Sequence, residues 1–162
     1  MAIQQIDIQN KTKETIRKSF LEDVVKTSLD VLKIKRSYNL GLLLVDNKFI
    51  KKLNKKYRGI DLPTDVLSFS LYDKKRMTID SPDKILYLGD VIISIDEVKK
   101  QSQKAGCVFQ SELVDLLIHG ILHIVGFTHD KENNQKKMDN FSQKIINKLI
   151  KKKAIKYYAS IN

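Results

Sequence analysis

Tyr38-Asn39-Leu40-Gly41-Leu42-Leu43-Leu44-Val45 reads as a strand, and its last four residues are apolar without a break. A strand with one wet face alternates apolar and polar side chains. A continuous apolar run is buried on both faces, as in the middle of a sheet. Upstream, Ile3–Ile8 alternates Ile6 and Ile8 with Gln5 and Asp7 and makes a first strand. Between the two, Thr12 can cap a helix running to about Leu32. Ile16, Phe20 and Val24 form one apolar row of that helix, and Leu21, Val25 and Leu32 form the next. Two strands joined through a helix pair in parallel by a right-handed crossover.

Downstream of the central strand, Asp46 caps a short helix carrying Ile50, Leu53 and Tyr57. Residues 59–64 form a turn-rich connection, in which Pro63 ends any helix and biases Leu62 toward extended backbone. Val66–Leu71 is a strand, Asp73 to Lys84 a polar connection, and Ile85–Ile93 another strand. The last is interrupted by Gly89-Asp90, and a glycine there marks a bulge or a close backbone approach. Ser94 and Glu97 have the spacing of a capping box, opening a helix that Gly106 stops. A second helix starts near Gln110 or Ser111, buries Leu113, Leu116, Leu117, Ile121 and Ile124, and ends at Gly126. A last helix spans about Lys131 to Lys152, with Met138, Phe141, Ile145 and Leu149 at helical spacing. The expectation is an α+β fold with a small mixed, mostly parallel sheet of about four strands packed against helices. Its 162 residues suit one domain.

Composition narrows the function. Cys107 is the only cysteine, which excludes an intramolecular disulfide and a thiolate metal cluster and fits a reducing compartment. The start, MAIQQIDIQN, lacks the basic and apolar regions of a secretion signal. No stretch approaches the roughly 18 apolar residues of a membrane span. A soluble, cytoplasmic chain with no membrane partner is expected. The formal charge is +11, a field that attracts polyanions, nucleic acid first among them. From Lys131 onward nine lysines face only Glu132 and Asp139, either as a binding surface or as a solvated helix face.

The chemistry concentrates in His119-Gly120-Ile121-Leu122-His123-Ile124-Val125-Gly126-Phe127-Thr128-His129, which contains every histidine of the chain. His119 and His123 are one helical turn apart on one face. Gly126 can reverse the chain past the helix end and return His129 to the same ion. This is the spacing of the long metzincin motif. Three imidazoles and an exchangeable water make a catalytic rather than a structural zinc site, although other divalent transition metals also accept imidazole. The motif's general base is missing: its glutamate is Gly120 here. A basic chain whose metal site lacks the protease base favours phosphodiester over peptide hydrolysis, with metal-activated water as nucleophile.

Other polar residues have two readings each. Arg58 could grip two oxygens of a phosphate or be an ordinary surface arginine. Asp65 and Asp90 are candidates to accept an imidazole N–H or to cap turns. Thr64 and Ser68 could meet phosphate or local backbone. Asp130 could cap the last helix, and Glu112 either faces the metal side or solvent.

Three segments carry a resemblance. They are Asn54-Lys-Lys-Tyr57-Arg58-Gly59-Ile-Asp-Leu-Pro63-Thr64-Asp65-Val66-Leu67-Ser68-Phe69, Leu88-Gly89-Asp90-Val91-Ile92-Ile93, and the histidine stretch with Gly120 after its first histidine. In this order they resemble the bacterial YbeY family of rRNA maturation endoribonucleases. The resemblance implies a zinc-dependent hydrolase of single-stranded RNA. It implies action in maturation of the 3′ end of small-subunit (16S) rRNA and in ribosome quality control, with rRNA precursor, the small subunit and ribosomal proteins as partners. It places zinc on His119, His123 and His129 and the family's important arginine at Arg58. One position departs: the aspartate common before the third histidine is Thr128. Two rivals stay open, a zinc peptidase or amidase with a base from elsewhere, and a non-catalytic assembly factor with a structural metal.

Overall fold

The structure is a computed structural model that describes residues 1–72 and 84–155. In chain order these form β1 (Gln4–Asn10), α1 (Lys18–Val31), β2 (Tyr38–Val45), α2 (Asn47–Arg58), β3 (Val66–Ser70), β4 (Leu86–Ser94), α3 (Ile95–Ala105), α4 (Phe109–Ile124) and α5 (Glu132–Lys151). The connection expected over 73–84 lies outside the described residues except for Lys84. The sheet order is β1-β2-β4-β3. β1 and β4 each flank β2 in parallel, and β3 pairs antiparallel with β4 at the edge. The expected mixed, mostly parallel, four-stranded sheet packed against helices is therefore present.

Alternation along β2 separates two cores. Leu40, Leu42 and Leu44 are fully buried in a large cluster with Phe20, Leu21, Val24 and Val25 of α1, Leu113, Leu117 and Ile121 of α4, and Ile145 and Leu149 of α5. Val45 points the other way, into a small cluster with Ile50 of α2, Leu67 and Ile92. The leucine run thus reports burial on both faces. The second face is covered only at the α2 end, and Asn39 and Gly41 lie toward its open end.

Gly89 serves both roles that a strand glycine suggests. The β2–β4 register steps from Asn39↔Tyr87 to Leu40↔Gly89, leaving Leu88 as an extra residue. Gly89 has φ +126°, and a Cβ on it would lie 2.0 Å from the Phe69 carbonyl oxygen.

Helix starts differ from expectation. Thr12 does not cap α1. Its hydroxyl donates to Asn10 Oδ1 at 2.7 Å and accepts from the Glu14 N–H at 3.3 Å, a local turn that competes with helix. The helix begins six residues later, after Arg17, with no side-chain cap. Asp46 caps α2 by accepting from Phe49 N–H at 2.8 Å. Ser94 accepts from Glu97 N–H, but only half of the capping box forms, because Glu97 accepts instead from the Asn47 side-chain amide of α2. No single helix among the described residues is long and apolar enough to cross a membrane.

Candidate metal centre

The histidine helix α4 lies across β3 and β4, and the sequence dictates how closely. A Cβ at Gly120 would sit 2.6 Å from Val91 Cγ1 and 3.3 Å from both Ser68 Oγ and Val66 Cγ2. The position one residue past His119 is thus filled by the sheet. Ser68 Oγ donates to the Gly120 carbonyl at 3.0 Å, and Ser70 Oγ donates to the Ile124 carbonyl at 2.6 Å. Two serines on one face of an edge strand thereby fix the helix that carries His119 and His123.

Past Ile124 the chain turns as the sequence suggests. The N–H of Gly126 donates to the His123 carbonyl and that of Phe127 to the Leu122 carbonyl, with Gly126 at φ +99°. This is a Schellman closure. It brings His129 beside the two helical histidines: one ligand nitrogen from each lies within 4.8 Å of the others. The same closure returns the Phe127 carbonyl over His123, whose Nδ1 lies 3.0 Å from it. A carbonyl only accepts, so Nδ1 carries the proton and Nε2 holds a free lone pair. His119 Nε2 is 2.9 Å from that nitrogen. Two zinc–imidazole bonds of about 2.0–2.1 Å at a tetrahedral angle hold their nitrogens about 3.3 Å apart, so the pair suits one ion.

Electrostatics favour neutral rings. Burial first, then His123 and His129 as like charges, push His119 below the usual histidine range, against an opposing pull from Asp65. Burial also lowers His123, opposed by its bond to the Phe127 carbonyl. Neutral imidazole is the form that binds metal. The arrangement is consistent with a metal-binding site, and among the described residues the group has these three members.

The cleft around the rings, about 480 Å³, is lined by Arg58, Thr64, Asp65, Val66, Leu67, Ser68, His119, His123 and His129. Arg58 reaches it from the last turn of α2, which Gly59 ends at φ +70°. The connection to β3 is tied back to α2: Asn54 Nδ2 donates to the Leu62 carbonyl at 2.8 Å. Buried Asn54 gave no sequence signal beyond a polar residue on an apolar helix row.

The remaining candidates divide. Asp65 lines the cleft, but its oxygens accept from Val66 N–H and the Gln101 side chain. The imidazole acceptor found here is the Phe127 carbonyl, which no side-chain pattern announces. Asp90 is not at the site. Val91 meets Gly120, so its neighbour Asp90 faces the opposite side of the sheet, over Gly41. Asp130 does not cap α5, which starts after Lys131. It accepts from Thr128 Oγ1 at 2.7 Å and Asn134 Nδ2 at 2.9 Å. Glu112 is half-buried beside Cys107, outside the cleft lining.

Residues 3–150 match the family model described as endoribonuclease YbeY. The chain is 34% identical over 151 residues to endoribonuclease YbeY of Syntrophomonas wolfei, covering 92% of this chain and 96% of that one. It is 38% identical over 147 residues to the Bacillus pumilus protein of the same name, covering 87% and 92%. The solution structure of TM1509 from Thermotoga maritima shares the fold, with a TM-score of 0.60 over 98% of this chain and 100% of that one at 22% identity. The fold and cleft define an α+β protein with a three-histidine candidate metal centre on a mixed sheet. The chain belongs to the YbeY endoribonuclease family.

Proposed function

We propose that this chain is a single-strand-specific metallo-endoribonuclease acting in 3′-end maturation of small-subunit rRNA and in ribosome quality control, with one zinc ion on His119, His123 and His129. Family membership supports the reaction class. The observation that carries the site is the convergence of three imidazoles in a cleft that also contains Arg58. Precursor rRNA and the small ribosomal subunit follow as partners from the family, and the charge of +11 suits them.

A divalent ion held there supplies Lewis acidity toward a phosphoryl oxygen and a lowered pKa for the attacking water. The chain's own residues do the rest. Arg58 presents a planar fork to the non-bridging oxygens of the scissile phosphate and offsets charge growing there. The Phe127 carbonyl fixes the tautomer and plane of His123. Ser68 and Ser70 hold the helix register, so the rings are placed by rigid elements.

The peptidase reading lacks support at its base, since the metzincin glutamate position is Gly120, packed on Val91. A purely structural metal would have four protein ligands, and three converge among the described residues. Purified protein should cut an unpaired RNA and spare the same sequence in a duplex. Chelator should abolish cleavage, and zinc should restore it. Cleavage unchanged after complete metal removal would overturn the reading.

A further inference from the structure

Large apolar side chains cluster on the surface where α2 turns into β3. Tyr57 is 56% exposed, Ile60 40% and Leu62 63%, all within three residues of Gly59 along the chain. Exposed apolar groups so closely grouped mark a contact surface. Lys56 and Arg58 are interleaved with them, the Lys56 ammonium 5.1 Å from the Tyr57 ring centroid, while Lys55 pairs with Asp61 at 3.3 Å. The occupant this combination fits has a flat apolar face and negative charge beside it. An unpaired nucleotide has both.

The Tyr57 ring is held rather than free. It meets Phe69 of β3 edge-on, with centroids 5.0 Å apart and planes at 66°. Phe69 follows Ser68, and successive residues of a strand point to opposite faces. Ser68 faces the histidine helix and lines the cleft, so Phe69 and Tyr57 lie across the rim of this edge strand from it. Arg58 is the next residue, its Cα about 3.8 Å from that of Tyr57, and it lines the cleft. The edge of β3 thus separates the Tyr57 ring from the cleft, and an unpaired strand crossing that edge can set a base on Tyr57 while its backbone continues to Arg58.

We infer that Tyr57, braced by Phe69, is a stacking platform for one unpaired base of the strand that enters the histidine cleft, held across the β3 edge from it. It acts as a specificity determinant, because a base within a duplex is already stacked and paired, and turning it out onto the ring carries an unstacking and unpairing cost that an unpaired base avoids. This deepens the proposed function and rests on it. Base–aromatic stacking is sequence-tolerant, which suits discrimination of strandedness rather than of sequence.

The test uses a short unpaired oligoribonucleotide, with binding read by fluorescence anisotropy on chelated protein and cleavage read on zinc-loaded protein. Tyr57→Ala should weaken binding about 5- to 150-fold, the range of one stacked base, and raise KM with little change in kcat. Tyr57→Phe and Tyr57→Trp should keep wild-type binding, which a requirement for the hydroxyl would not allow. An abasic site moved stepwise through the positions flanking the cut should, at one of them, weaken wild-type binding as much as the alanine variant does, and should cost that variant nothing more. Unchanged binding by a folded Tyr57→Ala protein, or full additivity of the abasic site with it at every position, overturns the inference. Absence of any RNA binding by the wild type would instead refute the proposed function.

Discussion

The Ser68 hydroxyl donates to the Gly120 carbonyl at 3.0 Å, joining the edge strand to the middle of the histidine pair. The bond is possible because Gly120 has no side chain to hold the helix away. A methyl group there gains up to about 1 kcal/mol in helix propensity. It also meets Val91 Cγ1 at 2.6 Å, on a stiff β-branched side chain in the sheet. Overpacking of this kind costs about 1–3 kcal/mol, so the clash wins. Gly120→Ala should lower stability in urea denaturation, and Gly120→Glu should lower it further without creating peptidase activity. Equal stability of the alanine variant would show that α4 can move off the sheet freely.

Arg58 should separate catalysis from metal binding. It lines the cleft but is not among the three clustered imidazoles. Arg58→Ala should keep full metal content while kcat/KM on RNA falls about 10- to 150-fold, the worth of a charged hydrogen-bonding group at about 1.5–3 kcal/mol. Lysine should recover only part, because one ammonium cannot replace a planar fork. Metal analysis beside steady-state kinetics checks both halves.

The loop carrying His129 is pinned through Asp130, which Thr128 and Asn134 both approach. Thr128 and Asp130 thus flank His129 as a hydrogen-bonded pair. Asp130→Ala should weaken zinc affinity about tenfold in a chelator competition, the scale of lost outer-shell support. Thermal stability of the metal-free protein should barely move, since the group is fully exposed.

Glu112 gives a pH prediction. Burial first, then Asp115 and Asp65, raise its carboxyl above the ordinary glutamate value. The folded chain therefore holds that proton more tightly than the unfolded chain. The charged form costs stability above the raised value, and the cost disappears below the ordinary one. Glu112→Gln should raise the melting temperature at pH 7, with a gain that shrinks to nothing as pH falls below the ordinary glutamate value. A constant gain across that range would contradict the assigned cause.

The sequence made much of this legible because period and punctuation agree with the fold. The leucine run of β2, the break at Gly89 and the reversal at Gly126 each have a local physical cause, and each stands where the pattern put it. The three histidines were readable because helical spacing alone brings two of them together. Thr12 misled because a threonine can serve a local turn as well as a helix start, and Asn10, its partner, decides between them. The two readings of Asp90 could not be separated from sequence, because facing depends on alternation relative to Val91, whose contact with Gly120 is a tertiary fact. The Phe127 carbonyl and the Asn54 tether were invisible, since backbone acceptors carry no residue signature.

The central claim is that three imidazoles share one ion and leave part of its coordination to water and substrate. X-ray absorption at the zinc edge, with metal content measured on the same sample, addresses it directly. One ion per chain is expected, with three imidazole nitrogens at about 2.0–2.1 Å and one or two light oxygen scatterers that change when an RNA analogue binds. A folded, undialysed protein with no stoichiometric metal, or an ion closed by four protein ligands, would contradict it.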